Sequence, residues 1–135
     1  TTGFPIDMAI WKTPDGGASG QVQDRLRGYP PNTTTGSPTL YPDATAAESS
    51  NYTAYNYWNT GFLTNAAQND VWWNFQRAPG FFDVVCYTGT GSATTVTHNL
   101  GVAPEMMIAK IRGGADSWIV YIYNYFFWYT FGYKN

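Results

Sequence analysis

The sequence predicts an all-β protein, an antiparallel jelly-roll-like β-sandwich with long loops and little helix. Three observations carry that expectation. Aromatic residues make up 19% of the chain and charged residues only 12%, against about a quarter charged in ordinary soluble domains. β-Branched and aromatic residues gather in short runs cut by Gly, Pro and Asn, which is the punctuation of strands and turns. Within the clearest runs the side chains alternate with a period of two, the spacing of a strand with two unlike faces. At 135 residues there is material for one domain with a core of its own.

Taken in order, Asp7 to Lys12 is a short apolar run between Pro5 and the turn "TPDGG", and reads as a strand. "QVQDRLRGY" (21–29) places Val22 and Leu26 among polar residues, compatible with a short strand or a helical turn. "PPNTTTGSPTLYP" (30–42) carries four prolines and reads as a loop. "DATAAESSN" (43–51) makes either one helical turn capped by Asp43 or more loop. Strand signals return at Tyr52 to Trp58 and again in "VWWNFQR" (71–77). In the latter, Val71, Trp73 and Phe75 share one face, and Trp72, Asn74 and Gln76 the other. The cleanest alternation follows Gly80, where Phe82, Val84 and Cys86 oppose Asp83, Val85 and Tyr87. After the turn "TGTGS" come "TTVTHNL" (94–100), "APEMMIAKI" (103–111) and "WIVYIY" (118–123), each read as a strand.

Charge and cysteine content exclude several classes of function. Net charge is −2 and the basic residues are scattered, so the electrostatic footprint of a nucleic-acid binder is missing. No run approaches the roughly 20 apolar residues of a membrane span. "TTGFPIDMAI" lacks the basic start and apolar core of a signal peptide. With one cysteine, Cys86, there is no internal disulfide and no cysteine metal cluster.

One feature is not local. Gly3 to Lys12 ("GFPIDMAIWK") and Gly101 to Lys110 ("GVAPEMMIAK") align at a constant offset of 98 residues, with Met8 on Met106, Ile10 on Ile108 and Lys12 on Lys110. Asp7 meets Glu105, and Gly-Gly turns follow at 16–17 and 113–114. Ordered identities at one offset mark an internal repeat. Residues 3–100 then form one β module, and residues 101–135 the start of a second or a strand segment that pairs between subunits.

These pieces resemble a known family. "GFPIDMAIWK" (3–12), "DRLRG" (24–28), "LYPDATAAE" (40–48), "TGF" (60–62), "VWWNF" (71–75), "YTGTGSATTVTHNLGVAPEMMIAK" (87–110) and "DSWIVY" (116–121) are similar to the repeated β-rich module of tail-fibre-like and other virion proteins of tailed bacteriophages. The likeness runs to about Tyr123, and its most specific part is the stretch from Tyr87 to Lys110. Two departures stand out: Pro5 sits one place earlier than its counterpart Pro104, and "YNYFFWYTFGYKN" (123–135) is almost solidly aromatic where the family continues in polar residues. The resemblance implies a virion structural protein, in a tail fibre or similar appendage, whose partners are copies of itself and other virion proteins. An adhesin or lectin-like module binding host-surface glycans, or a subunit of an extracellular filament, is the alternative.

The chemical inventory points away from an enzyme. His98 is the only histidine and reads as a turn residue bonded to backbone; Cys86 shares a face with Phe82 and Val84 and reads as a buried thiol. Asp24 is expected to pair locally with Arg25 and Arg27, and Asp7 and Glu105 are duplicated structural positions rather than a glycosidase pair. No catalytic, cofactor or metal residue is therefore assigned. Contact with glycans or with other subunits falls to the aromatic residues Tyr55, Tyr57, Trp58, Trp72, Trp118 and Trp128, whose rings offer broad apolar faces with a polar tip.

Overall fold

Met8 to Lys12 sits at the centre of one sheet, with a strand paired on each of its edges. The computed structural model describes residues 2–17, 19–27, 37–52, 69–123 and 125–131, with the side chains of 51, 52 and 125–131 excepted. Strand β1 (Met8–Lys12) lies between β2 (Gln21–Asp24) and β5 (Val71–Phe75), both antiparallel to it. β3 (Ser37–Thr39) pairs with β4 (Ser49–Tyr52). β6 (Met106–Ala109), β7 (Trp118–Ile122) and β8 (Tyr125–Phe131) make a third sheet in that order. The chain is all-β and antiparallel, and the described residues contain no helix. A jelly roll distributes eight strands over two facing sheets; the described strands fall instead into sheets of three, two and three.

The core forms where β1 meets its neighbours. Ile6 and Ala9 are fully buried, with Phe4 and Trp72 packed on them. Trp11 stacks on Trp72 with ring centroids 5.0 Å apart and planes 17° from parallel. Asp7 locks the end of this sheet. Its N–H donates to the Phe75 carbonyl at 2.8 Å, its carbonyl accepts from Arg25 N–H at 2.9 Å, and its carboxylate accepts from Arg77 N–H at 2.8 Å. Arg25 reaches the same carboxylate at 3.4 Å. Asp24 pairs with Arg27 while Arg25 reaches Asp7, so the two arginines of "DRLRG" reach different acids.

Arg27 is buried against Asp24, and its Nη2 donates to the Val22 carbonyl at 2.9 Å. Asp24 Oδ1 in turn accepts the N–H groups of Leu26 and Arg27 at 3.0 and 2.9 Å. That turn ends β2 and aims Arg27 at Glu48, 3.4 Å away.

Several sequence expectations need correction. The proline-rich 30–42 stretch contains a strand: β3 runs through Pro38, and Leu40 exchanges backbone bonds of 2.8 and 3.0 Å with Val22. Proline is tolerated there because a short peripheral strand does not need every N–H in a ladder. The 43–51 stretch is not helical; after a turn at Pro42–Asp43 it runs extended into β4. The alternating 82–87 run forms no strand beyond the Ala78–Phe82 bridge, and "TTVTHNL" forms none. Its alternation set apolar Val85 and Tyr87 on the same side as Asp83, so neither face was cleanly polar. Val85, Cys86 and Tyr87 all lie exposed, and Asp83 spends its carboxylate on the backbone N–H groups of Val84 and Asn99 instead.

Replacing Arg27 by Met leaves Asp24 buried without its counter-charge and is expected to cost about 3–5 kcal/mol in urea unfolding. Arg112→Met, which removes an ion pair whose arginine is 44% exposed, should cost at most about 1 kcal/mol.

Candidate functional site

Two hairpins of this fold are copies of each other in their pairing. β1 opposes β2 with Met8 on Asp24, Ala9 on Gln23, Ile10 on Val22 and Trp11 on Gln21. β6 opposes β7 with Met106 on Ile122, Met107 on Tyr121, Ile108 on Val120 and Ala109 on Ile119. Each residue of the second set lies 98 places after its counterpart in the first. The backbone bond from Arg25 to the Asp7 carbonyl recurs as Tyr123 to the Glu105 carbonyl, at 2.7 Å. Gly3 and Gly101 likewise share a left-handed conformation, with φ of 76° and 74°, a region that side chains with a Cβ avoid.

Residues 40–48 strap the hairpins together. On the first, Asp43 accepts from Gly20 N–H at 3.0 Å and from Lys12 Nζ at 3.3 Å. Gly20 is needed for this approach, since a Cβ there would lie 3.0 Å from Pro42 Cγ. On the second, Trp118 Nε1 donates to the Tyr41 carbonyl at 2.7 Å, and Asp116 N–H to the Thr45 carbonyl at 2.8 Å. Glu48 N–H donates to the Arg112 carbonyl at 2.9 Å while its carboxylate takes Arg112 Nε and Nη2 at 2.9 Å each. That fork holds the Arg112 proton above its ordinary range, because the Glu48 hydrogen bonds favour the charged guanidinium.

The copies differ in what covers them. Ala9 and Trp11 are buried, whereas the whole of β6 is exposed, from Met106 at 58% to Met107 at 47%. Ile111 and Ile119 extend this apolar surface. Of the aromatic residues read from sequence, Trp72 is half-buried on Trp11 and Trp118 half-buried on the strap. Trp128 belongs to β8, and its side chain is outside the described set, as are Tyr55, Tyr57 and Trp58 altogether. Trp73 is the ring β5 turns outward, 51% exposed. The sequence signal missed here was context: an apolar β6 looks the same on paper whether its neighbours are present or not.

The titratable groups singled out from the sequence lie in turns and at the surface. His98 is exposed, and its Nδ1 accepts from Leu100 N–H at 3.3 Å, the turn role expected of it. Cys86 is exposed rather than buried, because its segment joins no sheet. Partial desolvation, reinforced by the charge of Asp24, still pushes its thiol above the ordinary value. An open depression of about 280 Å³ lies between Asp7, Arg77, Phe82, Asp83 and Asn99, but both of its carboxylates are engaged by backbone N–H groups. Among the described residues no three His, Cys, Asp or Glu side chains are arranged to hold a metal ion. No helix there is long and apolar enough to cross a membrane.

Comparison with known proteins adds one match. A domain family of unknown function (DUF7483) matches residues 76–129, from just after β5 into β8. The match runs through residue 100, where the repeat places a module boundary. No curated protein and no solved structure matches the chain.

Asp43 and Cys86 give two measurable consequences. Burial alone would raise the Asp43 pKa, but the Gly20 N–H and Lys12 outweigh it and the net shift is downward from 3.8. A carboxylate more acidic in the folded state stabilises the fold above its unfolded pKa and loses that contribution as pH falls through the folded one. The melting temperature of the native chain should therefore drop faster than that of Asp43→Asn below about pH 4. Cys86 should react with a disulfide reagent without denaturant, at a rate still rising as pH passes 9.0.

Proposed function

We propose that this chain is a non-enzymatic structural module of a virion appendage, of the tail-fibre kind, acting through association with copies of itself and with other virion proteins. The observation that carries the reading is the duplicated hairpin. Two hairpins with one register, 98 residues apart, are what a polypeptide built from serial β units supplies, and units of this sort bury their apolar faces against neighbours. The sequence resemblance to tailed-phage virion modules supplies the biological setting. The exposed apolar surface of β6, Ile111 and Ile119 agrees with a protein that completes its burial in an assembly, because patches of this type on soluble proteins mark interaction sites.

Sedimentation velocity of the native chain over a micromolar concentration series, with electron microscopy of the heaviest species, tests the reading. Concentration-dependent growth into end-to-end particles is the expected outcome. A single monomeric boundary throughout would overturn self-assembly, and saturable binding to one class on a glycan array by that monomer would replace it with the adhesin reading.

A further inference from the structure

The depression at the end of the first sheet has a polar lining on a fixed frame. It encloses about 280 Å³ between Asp7, Arg77, Pro79, Phe82, Asp83 and Asn99. Backbone bonds tie its walls. Ala78 and Phe82 exchange bonds of 2.9 and 3.1 Å, and Gly80 N–H donates to the Leu100 carbonyl at 2.7 Å. The Asp83 carboxylate accepts the N–H groups of Val84 and Asn99 at 2.9 and 2.7 Å, and Asp7 accepts that of Arg77 at 2.8 Å. We propose that this depression is a binding site for one neutral sugar ring.

Hydrogen-bonding capacity selects that ligand. Each oxygen of an ionised carboxylate can accept more than one hydrogen bond. One backbone N–H occupies each oxygen of Asp83, so both retain room for a hydroxyl donor while being held in place. Beside them, among the described residues, the Asn99 side-chain amide and the Arg77 Nη groups make no hydrogen bond, and both residues are exposed. Acceptors fixed next to unused donors suit neighbouring hydroxyls, each of which donates one bond and accepts others. Half-buried Phe82, its ring 5.1 Å from Phe75, and Pro79 supply an apolar part of the wall for the C–H face of the ring.

Other ligand classes fit these walls less well. Arg25 and Arg77 stand 3.4 and 3.6 Å from Asp7, so with Asp83 the two acids and two bases leave no net charge. An anion would lie against Asp83, and among the described residues no three metal-ligating side chains gather for a cation. An apolar ligand would take water from the polar groups without replacing its hydrogen bonds. About 280 Å³ is at the lower end of small-molecule pockets, which suits one ring, and the open mouth leaves any attached glycan chain in solvent. The site goes beyond the assembly reading and does not rest on it, since none of its residues belongs to β6, Ile111 or Ile119.

Saturation-transfer difference NMR of the full chain with the methyl glycosides of glucose, galactose and mannose tests the site, and works on monomer and assembly alike. At least one glycoside should bind saturably and glucuronate should not. Asn99→Ala and Arg77→Gln should each weaken binding by about three- to tenfold, the loss of one hydrogen-bonding group. Both variants should stay folded, because these residues hold the carboxylates through backbone N–H groups. Trp73→Ala, which removes an exposed ring outside the depression, should bind as the native chain does. No saturable binding of any of the three, a preference for glucuronate, binding unaltered by both Asn99→Ala and Arg77→Gln, or loss confined to Trp73→Ala would overturn the inference. Tighter binding of a disaccharide ending in the preferred sugar supports the site as one for a glycan end, and tighter binding of the free hexose supports it as one for a soluble sugar. A chain that binds none of the sugars yet assembles in the ultracentrifuge loses the site and keeps the assembly reading. A monomeric chain that binds one through Asn99 does the reverse.

Discussion

Arg27 is the side chain on which the arrangement turns. Burying a guanidinium costs several kcal/mol unless charges and carbonyls surround it. Here Asp24, Glu48 and the Val22 carbonyl do so. They come from two parts of the fold: Asp24 and the Val22 carbonyl from β2, and Glu48 from the strap before β4. Through Glu48 the network continues to Arg112 in the turn between β6 and β7. Two acids and two bases thus close a neutral chain of pairs that holds the second hairpin against the first. The core has little else to do this with, since Gln21, Gln23, Ser37 and Thr39 share the interior with Ile6, Ala9, Trp11, Val22 and Leu40.

Polar interior and apolar exterior are two sides of one design. A chain with so few charges and so many aromatic residues would ordinarily bury its apolar side chains first. Instead, large apolar residues of β6 and its surroundings face outward while the strap's contacts are largely hydrogen bonds and ion pairs. Directional contacts of this kind fix the geometry of one hairpin relative to the other without consuming the apolar surface. What remains exposed is available for a neighbour.

The duplication also explains why identical local patterns end differently. "MAIWK" and "MMIAK" take the same register in their hairpins, down to the left-handed glycines five places ahead of each. Their burial diverges because β5 covers one and no described strand covers the other. A residue's fate on a strand depends on the strand beside it.

The strands at 8–12, 71–75, 106–109 and 118–122 were legible because alternation, flanking turns and β-branched content all agreed. The repeat, the turn role of His98 and the Asp24–Arg27 pair were legible for the same reason: each is set within a few residues or by direct comparison of two stretches. The run after Gly80 was misread because alternation describes a willingness to pair and says nothing about a partner, and the strand through Pro38 was hidden because its pairing depends on Val22 and β4 rather than on its own composition. Cys86 followed the misread run, from an expected interior position to the surface. By itself, then, the amino-acid order determined an all-β chain, its duplicated strand and its local ion pair, all consequences of short-range sterics and periodicity. Only the tertiary structure decided that Glu48 joins the two hairpins and that, among the described residues, one edge of β6 carries no strand, because those depend on which distant segments come within hydrogen-bonding reach.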